Sequence, residues 1–216
     1  IGPAVLDMAT SQSSYNAPEY LMAYVCAVEL AKWLDLPNWG YAGTTDAQTI
    51  DAQAGMEAAA LTLLSLTTGS NLNHDIGYLD YGLTGSLELT VLTDEYLAMN
   101  RKIFAGVEVT PETLAVDVVR DVGPGGDFLS HRATARQVRK AQWRPTILNR
   151  QGRARWLEEG APDLREQARR KALRLLAEHE PAPLDAAVAA RIDALVAGFE
   201  PGAHGPQHGT ASAAES

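Results

Sequence analysis

The chain has 216 residues, of which 46% are hydrophobic and 21% charged, with a formal net charge of −9. This composition can build a sizeable core, so it excludes collagen, a coiled coil and a chain that is disordered throughout. No apolar run approaches the roughly 18 residues of a membrane helix, and the first residues lack the order of a signal peptide. We therefore expect a soluble, cytoplasmic protein without membrane contact.

The single cysteine, Cys26, excludes an internal disulfide and a zinc site built from several thiolates. Its apolar neighbours predict that it is buried in the core.

Charge is divided unevenly along the chain. Residues 1–100 carry twelve acidic side chains against the single basic Lys32, whereas residues 101–216 carry seventeen basic and fifteen acidic side chains. The acidic half disfavours nucleic acid and is compatible with a cationic ligand, although solubility explains most acidic surfaces equally well.

The first 106 residues alternate helical and short extended patterns. Asn16 and Glu19 have the spacing of a capping box, which predicts the start of the first helix. The predicted elements are a helix over 17–35, a strand over 38–43, a helix over 47–67, a strand over 70–77, a loop over 78–85 and a helix over 86–104. This order is typical of βα units in a parallel sheet, so the predicted fold class is α/β.

The pattern changes after residue 106. Thr110 and Pro111 open a predicted helix over 111–122, which Gly123 and Pro124 close. Short helices and turns follow in an Arg-rich region, then two amphipathic helices. The predicted division is βα units over 1–106, a helical extension over 107–160, C-terminal helices over 161–200 and a disordered tail over 201–216. A complete eight-stranded barrel takes about 250 residues, so this is either a smaller open sheet or part of a larger protein.

Several motifs fail as functional signals. The glycine-rich run 123–126 follows a helix and lacks a Lys-Ser/Thr pair, so it predicts a helix C-terminal turn and no phosphate loop. His131 has no ligand-spaced partner, and His204 and His208 lie in the predicted disordered tail, so we expect no metal site. The Arg-rich segment 132–155 is either a solvated basic face or a contact for an anionic partner.

One dense group of polar and aromatic residues lies where two predicted strands end. Ligands bind at this edge of α/β sheets. The candidates are Trp39, Tyr41 and Asp46 on and just beyond the first strand, and Asn73, His74, Asp75, Tyr78, Asp80 and Tyr81 on and just beyond the second. Ring faces and carboxylates without a basic residue suit an alkylammonium ion. Capping and packing explain the same residues without a ligand, and His74 points away from Asn73 and Asp75 unless the strand has ended or bulges.

The same residues carry a family resemblance. The segments 40–46, 51–57, 71–77, 108–117, 122–126 and 143–145 resemble the C-terminal half of the trimethylamine methyltransferase family. The resemblance implies the C-terminal part of a TIM (β/α)8 barrel with an appended helical region. It also implies transfer of a methyl group from a methylated amine to the Co(I) of a corrinoid carried by a separate protein. The amine is trimethylamine or a quaternary amine such as a betaine.

In this interpretation His74 and Asp75 are catalytic, and Trp39, Tyr41, Asp46, Asn73, Tyr78, Asp80 and Tyr81 bind the substrate. The partners are a cognate corrinoid protein and a small methylated amine, and we expect a homo-oligomer for the full-length protein. All residues are standard amino acids, which favours a relative without pyrrolysine. The alternatives are a catalytically silent amine-binding relative and an inactive fragment.

Overall fold

The computed structural model describes residues 5–199, so the predicted disordered tail over 201–216, with His204 and His208, lies outside the described residues. The described residues divide into two compact units, the first ending at Ala177 and the second beginning at Glu178. This division falls inside the segment 161–200 that the sequence groups together. No helix within the described residues is both long and apolar enough to cross a membrane.

The first unit begins with a small antiparallel pair and continues with alternating helices and strands. Its first elements are β1 (Leu6–Asp7), β2 (Gln12–Ser13), α1 (Pro18–Trp33), β3 (Trp39–Tyr41), α2 (Ala52–Thr68), β4 (Leu72–His74), β5 (Tyr78–Leu79), β6 (Thr84–Gly85) and α3 (Leu87–Phe104). The predicted helices and strands are therefore present, and both predicted strands are shorter than expected. The predicted loop over 78–85 is instead the antiparallel pair β5 and β6 joined by a 3-10 turn.

Strands β3 and β4 pair in parallel, with Trp39 opposite Leu72 and Tyr41 opposite His74. Helix α2 connects them, so β3, α2 and β4 form the βαβ unit that the sequence predicts. Asp51 caps α2 by accepting a hydrogen bond from the Ala54 amide at 3.1 Å. The α/β class is thus correct, while the parallel sheet has two strands within the described part, and the TIM barrel stays a prediction.

Helix α1 corrects two predictions. The capping box from Asn16 is wrong, because the N-cap is Ala17 and its amide donates to the Ser14 hydroxyl oxygen at 2.8 Å. Cys26 is exposed, contrary to the prediction that it is buried. The reason is helical geometry: Tyr24 and Val28 form the buried stripe, and a residue midway between them points to the opposite side of the helix.

Three small apolar clusters form the core of the first unit. One joins α1 to α2, one joins α2 to α3, and one joins α3 to the helix over Leu164–Glu178. Their buried members are Tyr20, Tyr24, Val28 and Leu61 in the first cluster, Ala47, Ala54, Ala58, Leu79 and Leu89 in the second, and Val91, Ile147, Ala168 and Ala172 in the third. The parallel strands lie beside the first cluster, where the half-buried Tyr41 packs on the α1 tyrosines.

The remaining helices are α4 (Pro111–Leu114), α5 (Val116–Val122), α6 (Arg132–Ala141), α7 (Arg153–Glu158) and α8 (Leu164–Glu178), with α9 (Ala186–Ala197) in the second unit. The single helix predicted over 111–122 is wrong, because Ala115 has a left-handed φ of 50° and separates α4 from α5. Gly123 ends α5 with a φ of 66°, which confirms the predicted C-terminal turn.

A buried carboxylate fastens the segment after α6 to α3. Glu95 is 3% exposed and accepts hydrogen bonds from the Thr146 amide at 2.6 Å, the Thr146 hydroxyl at 2.5 Å and the Ile147 amide at 3.1 Å. Burial by itself would raise the pKa of Glu95, but these hydrogen bonds favour the carboxylate and hold the pKa below its ordinary value. Because this segment precedes α8, the contact also helps to seat that helix.

Candidate functional site

The site lies where β3 and β4 end. Because the strands are parallel and in register, Tyr41 and His74 lie side by side at the carboxyl edge of the sheet. The ring centroid of His74 is 4.7 Å from that of Trp39 and 4.7 Å from that of Tyr41. Three of the predicted site residues therefore form one ring cluster on one face of the sheet.

The backbone at Asp75 decides the question of strand parity. Asp75 adopts a left-handed φ of 65°, so the extended chain ends at His74 and turns. The turn brings the Asp75 carboxylate back to the imidazole, where Oδ1 lies 2.6 Å from Nδ1 of His74. The sequence left open whether the strand ends or bulges near His74. The structure shows that it ends at His74, before Asp75. The two predicted catalytic residues consequently form a contacting pair.

This pair defines how His74 can act. A carboxylate accepts hydrogen bonds, so the contact places the proton on Nδ1 and leaves Nε2 as the acceptor in the neutral ring. Both side chains are about two-thirds buried, with exposures of 34% for His74 and 30% for Asp75. Partial burial weakens screening by solvent and strengthens the field of the Asp75 charge at the ring cluster.

Tyr41 is the centre of a second group of rings that the sequence analysis missed. Its ring centroid lies 5.9 Å from those of Tyr15 and Tyr20 and 6.2 Å from that of Tyr24. The signal for this group was the i, i+4 spacing of Tyr20 and Tyr24 on α1. Burial, followed by the charges of Tyr15 and Asp75, raises the pKa of Tyr41, so it remains a neutral phenol at physiological pH.

A groove of about 500 Å³ opens beside these rings. Its polar end is formed by Tyr24, Trp39, Tyr41 and His74, and the apolar side chains of α1, including Val28, continue along it. This volume is within the range of small-molecule sites. No Lys, Arg, Asp or Glu side chain lines the groove among the described residues, so Asp75 acts on it through His74.

Two other predicted residues lie near the ring cluster but have structural contacts. Asn73 is on the face of the sheet opposite to His74, where its Oδ1 accepts from the Tyr24 hydroxyl at 3.4 Å and the Ser70 hydroxyl at 2.9 Å. The Asp46 carboxylate is buried and accepts from the Ser14 hydroxyl and from the amides of Tyr15 and Asn16, at 3.0 and 3.2 Å.

Tyr78, Asp80 and Tyr81 lie on the β5–β6 hairpin that follows the Asp75 turn. The Tyr78 carbonyl accepts from the Thr45 amide at 3.0 Å, which fastens the hairpin to the loop after β3. The ring pairs found within residues 5–199 do not include Tyr78 or Tyr81. In the same residues no group of three or more His, Cys, Asp or Glu side chains could hold a metal ion.

The fold and the site define an α/β protein with a ring and carboxylate cluster at the carboxyl edge of parallel strands. The family model for trimethylamine methyltransferase (MTTB) matches residues 3–199. The chain therefore belongs to the trimethylamine methyltransferase family, as its sequence motifs indicate.

Characterised relatives agree with this assignment. The chain is 32% identical over 192 residues to trimethylamine methyltransferase MttB of Desulfitobacterium hafniense (strain DSM 10664 / DCB-2), covering 89% of the chain and 38% of the relative. It is 31% identical over 190 residues to MttB of Methanosarcina barkeri (strain Fusaro / DSM 804), covering 88% and 38%. It is 29% identical over 195 residues to glycine betaine methyltransferase of Desulfitobacterium hafniense (strain Y51), covering 90% and 40%. The chain thus spans less than half the length of these relatives.

Proposed function

We propose that this chain is part of a cytoplasmic methyltransferase that moves a methyl group from a methylated amine to the Co(I) of a corrinoid carried by a separate protein. The amine is a quaternary amine such as a betaine, or trimethylamine. The observation that carries the proposal is the joining of Trp39, Tyr41 and the His74–Asp75 pair beside one groove. Membership of the family supplies the reaction class.

The ring cluster suits the positively charged head of a methylated amine. Aromatic faces attract a cation within about 6 Å, with the strongest effect for tryptophan. Trp39 and Tyr41 offer two such rings, each 4.7 Å from the His74 ring, and Asp75 supplies a negative charge nearby. Because no Lys or Arg lines the groove among the described residues, nothing there repels an onium group.

His74 has two roles in this proposal. Its Nε2, freed by the Asp75 contact, accepts a hydrogen bond from a protonated amine, or the ring packs against the methyl groups of a quaternary amine. Asp46 and Asn73 position the surrounding loops, since the Asp46 carboxylate and Oδ1 of Asn73 already accept hydrogen bonds from the protein. Tyr78, Asp80 and Tyr81 are proposed to close over the amine from the hairpin.

Methyl transfer from a quaternary amine depends on orientation of the substrate more than on proton transfer. The corrinoid, a co-substrate held by its own protein, supplies the nucleophile. The C–N bond breaks with its electron pair on nitrogen, so a tertiary amine leaving from a quaternary substrate needs no proton. The residues of this chain must therefore hold the methyl carbon in line for transfer and exclude water around it, which can contribute a large part of the rate enhancement.

The test is methyl transfer from trimethylamine and from glycine betaine to a corrinoid protein purified from the same organism and reduced to Co(I). We expect His74→Ala and Asp75→Asn in the full-length protein to lower the rate at least tenfold without a change in melting temperature. His179→Ala, an exposed histidine on the other compact unit, is the matched control and should keep the wild-type rate.

The ring contribution has its own matched pair. Trp39→Ala removes a ring from the cluster, and Trp33→Ala removes a ring that is 80% exposed and outside it. We expect a raised KM for the amine only in the first variant. Wild-type kinetics in Trp39→Ala, His74→Ala and Asp75→Asn would refute the site, and amine binding without transfer would identify a silent amine-binding relative.

A further inference from the structure

Helix α6 carries a stripe of positive charge that the proposed site does not use. Its ten residues contain Arg132, Arg136, Arg139 and Lys140 and no acidic side chain. These positions follow the i, i+4, i+7 and i+8 spacing, which places them along one side of the helix over about 12 Å. All four are exposed. In a chain with a net charge of −9, such a one-sided positive surface is distinctive.

The opposite side of α6 anchors it to the first unit. The Thr134 hydroxyl donates to the Phe128 carbonyl at 2.6 Å, and the Gln137 side-chain amide donates to Glu112 at 2.6 Å. At the C-terminal end of the helix, Nζ of Lys102 donates to the Lys140 carbonyl at 3.4 Å and adds a fifth positive charge. The inner side therefore faces the protein, and the basic side faces solvent.

Several basic residues on other helices have a carboxylate partner close by, whereas among the described residues those of α6 have none. Arg120 and Arg170 each pair with a carboxylate three or four residues away on the same helix, and Arg155 pairs with Glu159 directly after α7. The four basic residues of α6 form no ion pair within residues 5–199, although Arg136 shares the border of a small hollow with Glu112 and Asp117. Like charges at i, i+4 destabilise an isolated helix. An opposite charge on a partner would relieve this repulsion.

The surroundings of the stripe identify the chemistry of the partner. An acidic chain repels the extended charge of a nucleic acid. A helix that inserts into a membrane needs large apolar side chains on its outward side. On the outward side of α6 the exposed residues are basic, apart from the small Ala135. A protein surface with a matching row of carboxylates fits the length and spacing of the stripe. Complementary charges of this kind steer association and fix orientation.

We propose that the basic side of α6, with Lys102, is the surface on which the methyl-accepting corrinoid protein docks through an acidic patch. This inference rests on the proposed function, because that function requires a protein partner. The surface is separate from the Trp39–His74 site, so it acts on binding of the partner and leaves binding of the amine unchanged.

The test compares two triple variants with equal changes of charge. One is Arg132→Glu/Arg136→Glu/Arg139→Glu on α6, and the control is Arg169→Glu/Arg170→Glu/Arg174→Glu on α8. We expect the α6 variant to raise the KM for the corrinoid protein at least tenfold at low salt, with a weaker dependence on salt than the wild type. Its rate with free cob(I)alamin and its KM for the amine should stay within twofold of wild type, as should every value for the control.

Two outcomes overturn the docking surface. One is an unchanged KM for the corrinoid protein in the α6 variant, and the other is an equal rise in both variants, which shows an effect of net charge alone. Sedimentation of wild type and variants with the purified corrinoid protein decides the point without catalysis. If wild type transfers no methyl group even to free cob(I)alamin, the proposed function fails. In that case sedimentation tests the docking surface by itself. Binding of the corrinoid protein to wild type and its loss in the α6 variant support the surface, and failure of wild type to bind the corrinoid protein refutes it.

Discussion

The Glu95 contact gives a quantitative prediction about stability. Glu95→Gln removes the negative charge to which Thr146 and Ile147 donate, and it places an amide NH2 beside donors that need an acceptor. Hydrogen bonds to a charged group contribute about 1.5–3 kcal/mol each, and the two bonds from Thr146 are the shortest. We therefore expect a loss of about 3 kcal/mol, or a fall in melting temperature of roughly 6–12 °C for a chain of this size.

The same carboxylate predicts a pH dependence with a definite sign. The pKa of Glu95 in the folded protein lies below its ordinary value of about 4.5. A group of this kind contributes its stabilisation above the unfolded pKa and loses it as the pH falls through the folded pKa. The difference in melting temperature between wild type and Glu95→Gln should thus be complete at pH 7 and shrink as the pH falls below 4.5.

Calorimetry or circular dichroism between pH 3 and pH 7 provides the measurement. Asp94→Asn is the matched control, because this neighbouring carboxylate is 66% exposed and lies 3.5 Å from Nζ of Lys171. An ion pair whose carboxylate is open to solvent contributes about 1 kcal/mol or less, so this variant should stay close to wild type. The reasoning is refuted if Glu95→Gln melts within 2 °C of wild type at pH 7, or if the difference is as large at pH 3.

Three backbone substitutions give further expectations, each checked by urea unfolding. Gly43→Ala should destabilise by about 2 kcal/mol or more, because Gly43 has a φ of 63° and a Cβ there would lie 2.5 Å from Cγ2 of Thr93. Gly55→Ala should stabilise by about 0.5–1 kcal/mol, since Gly55 is inside α2 with open space around its Cβ position, and a loss of stability would contradict this. Ala115→Gly should also stabilise, by about 1 kcal/mol, if the left-handed residue between α4 and α5 is strained; an unchanged midpoint would show that it is not.

Much of the site could be predicted from the sequence because its residues lie on two short strands or directly after them. Parallel strands bring their carboxyl ends to one edge, so Trp39, Tyr41 and His74 were expected near each other, and they are. The tyrosines around Tyr41 were missed, because they come from α1 and the segment before it, and sequence spacing does not show which face of a helix meets a strand.

The contacts of individual carboxylates could not be predicted. Asp46 and Asp75 look similar in the sequence, each an acidic residue near the carboxyl end of a predicted strand. In the structure the Asp46 carboxylate accepts hydrogen bonds from the backbone amides of Tyr15 and Asn16, which precede α1. The Asp75 carboxylate instead contacts the imidazole of His74. The difference depends on a single backbone torsion at Asp75 and on the position of a chain segment about thirty residues away.

The sequence by itself determined the α/β class, the order of α1, β3, α2, β4 and α3, and the family, because hydrophobic periodicity and local motifs are properties of short segments. The tertiary structure alone decided that Cys26 is exposed, that Ala115 interrupts a helix and that His74 contacts Asp75. These features depend on which faces of distant segments pack together, and the free energy of that packing overrides local preference.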